Sequence, residues 1–539
     1  MPQLGLAVLG GLVLGFSFPP FHFGWLAYAG FVPIILSIEI ADSYKEVFKL
    51  SYFAFLAFNV VVIYWVGGWS KESDPFMMIG GTALLLGHPI FFTVPVLIYF
   101  FLKKHLGPVA LAAFPLVYLS FEHLHSITEI AFPWLTIAYS QSYNLADIQF
   151  AEYTGVLGVS LQILIVNSLL AYCVMLYGRR NNSRVNLLLP ALTVVLLISL
   201  PQIYGAIVLK NSRDSSHSLK VAIVQPNIDP YAKWIGDPEE ILHTYENETT
   251  RILPANPELV VWPETAIPFY ILLPQFHYFK SDLDAFVGRN GIALLSGVPL
   301  AHYFSTKDSA KPSSHFDEMN HKYYDAYNGA ALFLPDSAPA QTYGKIVLVP
   351  FGERLPYADD LPFLIKPLEW GVGVSNWARG TDTTVFKLGD GTKFSTVICY
   401  ESVFADYVRL FVKRGAQFLV VITNDGWFGK SSGPRQHAAY AAFRAVENRR
   451  AIVRSANTGI SEVLDPYGRF IGKPTGLDVP ASVVANIPLR SDMTFYTMHG
   501  DLVALISELL SLASILFALF LKFKYRTKEN EYELHRSTK

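Results

Sequence analysis

Apolar positions are unevenly distributed along this chain. Through the first two hundred residues and the last forty they form long, nearly unbroken stretches. Between residues 218 and 490 they fall into short runs divided by turn residues and helical segments. A membrane-spanning helix needs about 20 consecutive apolar residues. On that scale the stretches predict about eight spans, at 4–18, 24–40, 50–67, 76–102, 107–121, 155–176, 185–208 and 502–521. The first and fifth are short, so tilt or re-entrance is expected there. The first has no basic flank and no small-residue cleavage site, and it runs into Phe18-Pro19-Pro20-Phe21, so it is expected to be retained.

The middle has a different rhythm. After a polar linker at 211–218, Val/Ile-rich runs recur at 221–224, 259–262, 292–296, 395–399, 418–423, 451–455 and 483–487, alternating with helical stretches. Asp465-Pro466-Tyr467-Gly468 has hairpin-turn chemistry. The expected organisation is residues 1–210 carrying seven membrane helices, 218–490 forming one sheet-rich α/β domain, 498–523 carrying the eighth helix, and 524–539 a basic tail.

Composition sharpens this division. The 539 residues are 52% hydrophobic and only 16% charged, against about a quarter charged in soluble domains, so a membrane protein is expected. A formal net charge of −2 offers no basic face to nucleic acid. With the N-terminus in the cytoplasm, Lys45, Lys49, Lys103, Lys104, Arg179, Arg180 and Arg184 fall in inner loops, as does the tail with Lys522, Lys524, Arg526 and Lys528. Only Lys71 is left in the short outer loops. Seven spans then place 218–490 on the extracytoplasmic side. The two cysteines, Cys173 and Cys399, make no disulfide framework, and Cys173 reads as a small apolar residue within its run.

Cys399 reads otherwise. It lies in Ile398-Cys399-Tyr400-Glu401, between a strand predicted over 392–398 and an amphipathic helix predicted over 402–413. A thiol at such a turn faces the positive end of a helix dipole, which favours thiolate and supplies backbone N–H groups to an oxyanion. Two other segments carry chemistry. In Trp262-Pro263-Glu264 a carboxylate ends an apolar strand, where a raised pKa suits general base work, although a solvated strand-end glutamate has the same sequence. Lys345 precedes the run Ile346-Val347-Leu348-Val349, read as a strand, and the rigid turn Pro350-Phe351-Gly352-Glu353 follows. A fixed ammonium stabilises thiolate and oxyanion alike.

Glu264, Lys345 and Cys399, in that order in one α/β domain, resemble the Glu-Lys-Cys triad of the nitrilase (carbon–nitrogen hydrolase) superfamily, which implies an αββα sandwich. Further motifs extend the resemblance over essentially the whole chain. They are Trp234, Tyr327-Asn328, Phe132-Pro133-Trp134, Tyr139-Ser140-Gln141, Asn424-Asp425-Gly426-Trp427, Gln436-His437 and Arg454-Ser455-Ala456-Asn457. With the eight-span frame, they resemble the apolipoprotein N-acyltransferase family. One departure is His125, where that family commonly carries an arginine.

The resemblance implies a two-step acyl transfer at the outer face of the bacterial inner membrane. Cys399 takes the sn-1 acyl chain of a phospholipid, phosphatidylethanolamine, as a thioester and passes it to the N-terminal amine of a diacylglyceryl-cysteine lipoprotein. Glu264 is then the general base and Lys345 the oxyanion holder. Glu353 and Glu401 position Lys345 or the substrate amine, Tyr400 and Asn328 line the site, and Trp234 and Trp427 line the acyl or lipoprotein path. His125 is a headgroup candidate. The apolar loop 354–379, with Phe363 and Trp370, reads as a lid dipping into the outer leaflet or as a surface-packed loop. No cofactor or metal is implied, and a monomer is expected. A membrane-tethered amidase using water as acceptor shares the triad but needs no eight spans. An inactive scaffold or transporter accounts neither for the complete triad nor for the scarcity of ionisable residues in the spans.

Overall fold

Long apolar stretches fold as helices and the short runs as strands in the computed structural model, which describes residues 2–68, 75–178, 185–212, 217–230, 232–336, 338–361, 363 and 376–537. The apolar helices are Pro2–Phe16, Ala27–Glu39, Tyr44–Ile63, Pro75–Leu106, Ala110–Ser126, Ala151–Tyr177, Val185–Asn211 and Leu502–Ser537. Among the described residues, five stretches are long and apolar enough to cross a membrane: Tyr44–Gly67, Met77–Ser126, Ala151–Tyr177, Leu187–Asn211 and Leu502–Lys524. Pro2–Phe16 and Gly24–Glu39 are shorter. Met77–Ser126 doubles back at Gly107, whose φ of +64° marks the turn. The first helix sits tight against Tyr44–Ile63 because Gly11 has no side chain: a Cβ there would lie 1.9 Å from the Ala54 carbonyl oxygen.

The central domain has two sheets. In the first, β1 (Ser218–Gln225), β2 (Leu259–Val261) and β3 (Ala293–Tyr303) run parallel. Then come β4 (His315–Asp317), β5 (Lys322–Phe333) and β6 (Gln341–Gly344). In the second sheet, β8 (Lys393–Ile398), β9 (Phe418–Thr423) and β10 (Ala451–Ala456) run parallel, flanked by β7 (Phe386–Lys387) and β11 (Glu462–Leu464). A last strand, β12 (Ala481–Pro488), returns to pair antiparallel with β1. The described strands order as β12-β1-β2-β3-β5-β4, with β6 on β5, and as β11-β10-β9-β8-β7.

Period-2 alternation builds the layers. Val221, Ile223, Leu259, Val261 and Leu295 join the core shared with the second sheet. Their neighbours Ala222, Val224, Val260 and Leu294 pack instead on the helices Pro238–Ile252 and His277–Asn290 through Ile241, Leu242, Tyr245, Leu283 and Val287. The helix Pro238–Ile252 starts where Asp237 accepts a bond from the Glu239 amide and Pro238 occupies the first turn. The helices Ala405–Lys413 and Ser432–Asn448 pack with the core of the second sheet through Val408, Phe411, Phe443 and Val446, so the order is helix, sheet, sheet, helix.

Two local expectations differ from the fold. The strand before the cysteine ends at Ile398, and a 3-10 turn, Cys399–Val403, separates it from the α-helix, which begins only at Ala405. Lys345 follows a strand, β6, and Ile346–Val349 is not one.

Candidate active site

Cys399 opens the 3-10 turn with φ +52°, in the left-handed region that a residue with a Cβ rarely adopts. The expected help from a helix dipole fails on distance along the chain, because the α-helix starts six residues later. The thiol is accordingly not a resting thiolate. Burial and the Glu264 carboxylate push it well above its ordinary value, against the opposing pull of Lys345. Nucleophilic attack therefore needs a base.

Glu264 stands beside it, just past the end of β2. Its carboxylate accepts a bond from Asn328 Nδ2 at 2.7 Å and from the Asn424 amide at 2.9 Å. Burial raises its pKa; Lys345 opposes this and the neighbouring Glu353 adds to it, and the outcome is a carboxyl above its usual range. The chain passes Glu264 through a left-handed Thr265 (φ +46°). β3 can cross behind this turn only at Gly297, where a Cβ would lie 2.4 Å from the Thr265 nitrogen.

Lys345 is fully buried. Burial alone would lower its pKa, but Glu353 and then Glu264 outweigh it, so the side chain remains ammonium. Its Nζ donates to Glu353 Oε1 at 2.7 Å and lies 3.8 Å from Glu264 Oε1. Asn328 Nδ2 also donates to Glu353, at 3.0 Å. A base and a fixed cation, both buried, thus stand with a half-buried thiol.

Glu401 is fully buried and its carboxylate is taken up by donors of the protein itself. It accepts from the amides of Ile346 (2.7 Å), Val347 (3.0 Å) and Ile398 (2.8 Å) and from the Tyr343 hydroxyl (2.8 Å). These bonds explain why Ile346–Val349 is no strand: its leading amides are donated to a carboxylate instead of a ladder. Glu401 thereby ties the Lys345 segment to the Cys399 turn.

Other expected residues spread outward. Tyr400 is buried; its hydroxyl donates to the Ala131 carbonyl at 2.7 Å and its ring packs on Phe132, 6.2 Å between centroids. It joins the nucleophile to the loop containing Phe132-Pro133-Trp134. His125 packs on Phe121 and His88, and His88 on Phe132, so His125 is not gathered with the triad. Trp234 is half exposed, Trp427 lies on the turn Asp425–Phe428, and Phe363 is exposed. Trp370 and most of the 354–379 loop lie outside the described residues.

Two groups escape the sequence reading. Lys233, next to Trp234, is buried, with Nζ 3.1 Å from the Glu264 carbonyl; burial lowers it to about 7 despite the pull of the Glu264 charge. Asp425 and His437 also meet under Cys399, and the three carry ligand-type atoms within 4.8 Å of one another. As a metal set they are poorly disposed. Asp425 is bound by Arg454 at 2.6 Å and by His437 Nδ1 at 2.8 Å, and His437 Nε2 faces Ser402 Oγ and the Cys399 carbonyl. An ion there would have to displace these hydrogen bonds. Lys233 adjoins Trp234, and His437 lies in the Gln436-His437 motif; neither adjacency discloses burial.

Comparison with known proteins finds matches over both the helical part and the central domain. Residues 10–169 match the profile of the apolipoprotein N-acyltransferase N-terminal domain, and residues 220–490 that of carbon-nitrogen hydrolase. The chain is 36% identical over 513 residues to the apolipoprotein N-acyltransferase of Chlorobaculum tepidum, covering 92% of this chain and 93% of that one. It is 31% identical over 511 residues to that of Geobacter metallireducens, covering 93% and 92%. Among solved structures, Saccharomyces cerevisiae Nit3 of the nitrilase superfamily aligns at TM-score 0.37 and 18% identity, covering 51% of this chain and 92% of that one.

Proposed function

The chain belongs to the apolipoprotein N-acyltransferase family, and from that premise we propose that it moves a fatty acyl chain from the sn-1 position of phosphatidylethanolamine, through a Cys399 thioester, to the N-terminal amine of a diacylglyceryl-cysteine lipoprotein. One observation carries this reading: a half-buried thiol whose pKa is raised stands with a buried carboxylate of raised pKa and a buried ammonium, and the residue after the thiol is bonded to a loop of the membrane frame.

Each step follows from those groups. Glu264 takes the thiol proton as sulfur attacks the ester carbonyl, and the oxyanion forms beside the Lys345 ammonium and the Tyr400 N–H. Collapse breaks the ester C–O bond, and the leaving lysophospholipid oxygen takes the proton back from Glu264. In the second half, the lipoprotein amine attacks the thioester and yields its proton to Glu264. The C–S bond breaks, and sulfur recovers that proton as the amide is released. A thioester stores enough free energy to drive amide formation, and the split reaction lets one pocket serve two substrates in turn.

The membrane frame has a physical purpose in this scheme. Both substrates are lipid-anchored, and drawing an acyl chain into water costs about 0.8 kcal/mol per CH₂. A domain fixed to the bilayer avoids that extraction. The positive-inside bias of the basic residues supports an extracytoplasmic position for the catalytic domain, and a monomer has every proposed group on one chain.

Peptide mass spectrometry of full-length protein incubated with phosphatidylethanolamine, without acceptor, tests the reading. A fatty-acyl addition on the Cys399 peptide, lost when diacylated lipopeptide is added, is the expected result. An unmodified Cys399 in folded protein would remove the thioester.

A further inference from the structure

His437 has no part in the steps above, yet it is buried directly beneath the nucleophile. It projects from the helix Ser432–Asn448 with its ring packed on Trp134, 5.4 Å between centroids. Nδ1 lies 2.8 Å from Asp425 Oδ1. Asp425 is itself held by Thr423 Oγ1 at 3.0 Å and by Arg454 at 2.6 Å. Burial works against its charge, but Arg454 and His437 keep it down at about 2, so it is ionised and takes its hydrogen bond from Nδ1–H. That orientation turns Nε2 to the Cys399 carbonyl oxygen, 3.1 Å away, and to Ser402 Oγ, 2.9 Å away. Ser402 Oγ in turn donates to the same carbonyl at 2.8 Å.

The Cys399 carbonyl and the Tyr400 N–H belong to one peptide unit. That unit is trans and planar, so its C=O and N–H point in opposite directions. Whatever grips the carbonyl sets the direction of the N–H. The grip is needed because Cys399 sits at φ +52°, from which the peptide would otherwise relax. A bond accepted by the carbonyl also polarises the unit and makes the N–H a better donor.

We propose that His437, oriented by Asp425, is a positioning residue that fixes the Cys399 carbonyl and thereby aims the Tyr400 N–H at the oxyanion. With Nδ1–H given to Asp425, a hydrogen on Nε2 as well makes the ring an imidazolium that donates to the carbonyl directly, a state that burial opposes and Asp425 favours. With Nε2 bare, the single Ser402 hydroxyl hydrogen goes to the carbonyl or to the ring, one at a time. The proposal rests on the acyl-enzyme reading above, and its test separates the two. Acylation of Cys399 passes through an oxyanion. Alkylation of the same thiol by iodoacetamide does not.

Full-length wild type, H437F, H437Q and S402A are compared in detergent for the rate of acyl-enzyme formation from phosphatidylethanolamine and for the rate of iodoacetamide alkylation of Cys399. In H437F acylation should slow by about tenfold to a hundredfold, short of the 10²–10³ lost when an oxyanion donor is deleted outright. The KM for phospholipid and the alkylation rate should stay within about twofold of wild type. The amide introduced by H437Q keeps a side-chain N–H that reaches the carbonyl, so this variant should recover part of the loss. S402A should fall between H437Q and H437F. Acylation and alkylation falling together in H437F and S402A would mean a merely structural residue and overturn the proposal, as would unchanged acylation in both. Wild type that is alkylated but never acylated would overturn the acyl-transfer reading, and this proposal with it.

Discussion

The Lys345 ammonium is paired with Glu353, at 2.7 Å, and stands off from Glu264, at 3.8 Å. Glu353 therefore absorbs the charge that would otherwise quench the base. Replacing it by E353Q leaves Glu264 as the nearest anion to Lys345, and a carboxylate so paired is a poorer proton acceptor. Acyl-enzyme formation should fall roughly 10²-fold in E353Q and toward 10⁴-fold in E264Q, the range that general base catalysis spans. Single-turnover acylation checks both, and equal losses in the two variants would remove the division of labour.

The same geometry sets a pH limb. Glu264 acts as base only when ionised, and its pKa is raised by burial, with Glu353 adding to the rise. Acylation should accordingly decline as pH falls, beginning above the ordinary glutamate value of about 4.3. Removing the Glu353 charge lowers the Glu264 pKa, so E353Q should move the acid limb to lower pH while reducing the plateau. A limb that moves upward, or stays put, would show that Glu353 does not act on Glu264.

Much of this site is legible in the chain because it lies where apolar runs end. Glu264 and Cys399 each terminate such a run, and span-length stretches announce the membrane helices by composition alone. What the pattern misleads on turns on partners distant in sequence. Ile346–Val349 has strand composition, but its amides go to Glu401, some 55 residues away. β5 escapes the pattern because Lys322-Tyr323-Tyr324-Asp325 mixes charge with aromatics, and its pairing along β3 supplies the order that its own composition does not. Lys233 and His437 look like ordinary polar residues until the fold buries them.

Glu401 offers a sharp stability prediction. E401A leaves three main-chain N–H groups without their acceptor, at about 1–3 kcal/mol for a buried group left unpaired and less for the part-buried Ile346 and Val347 amides. The Tyr343 hydroxyl keeps Tyr407 as a partner. The variant should melt well below wild type, and Lys345 should lose its fixed position. Gln keeps one carbonyl oxygen, so E401Q should be milder in both respects. Thermal unfolding in detergent alongside acylation rate decides it; an E401A that melts with wild type would mean the tie between the two segments lies elsewhere.

Phe363 is 71% exposed, close after the Glu353 turn, which suits a side chain that inserts into lipid. F363S should leave the melting temperature unchanged and lower turnover of phosphatidylethanolamine in vesicles several-fold, with a smaller effect on the same lipid in dilute micelles. Equal turnover in vesicles would exclude insertion by this residue.

Gln436 is the hinge point between chemistry and membrane. Its Oε1 accepts from Trp65 Nε1 at 3.0 Å and Trp134 Nε1 at 2.8 Å, while its Nε2 donates to the carbonyls of Pro19 at 2.8 Å and Val62 at 3.0 Å. One amide thus holds three separate segments of the frame to the helix that carries His437. Leu matches its volume but satisfies none of the four, so Q436L should lose roughly 1–3 kcal/mol for each group left unpaired. Trp65 Nε1 keeps the Val62 carbonyl at 2.9 Å, which spares part of that loss. Glu is the more telling change. Q436E keeps an acceptor for both indoles but turns a second acceptor toward two carbonyls, so it should destabilise despite preserving shape and half the bonds. If seating is what Gln436 provides, both variants should lose lipid turnover more than they lose iodoacetamide reactivity at Cys399, because the pocket survives while its register with the bilayer does not. Parallel loss of the two would mean the damage reaches the pocket through the neighbouring His437, and Gln436 would then belong to the nucleophile's support, not to the clasp between domains.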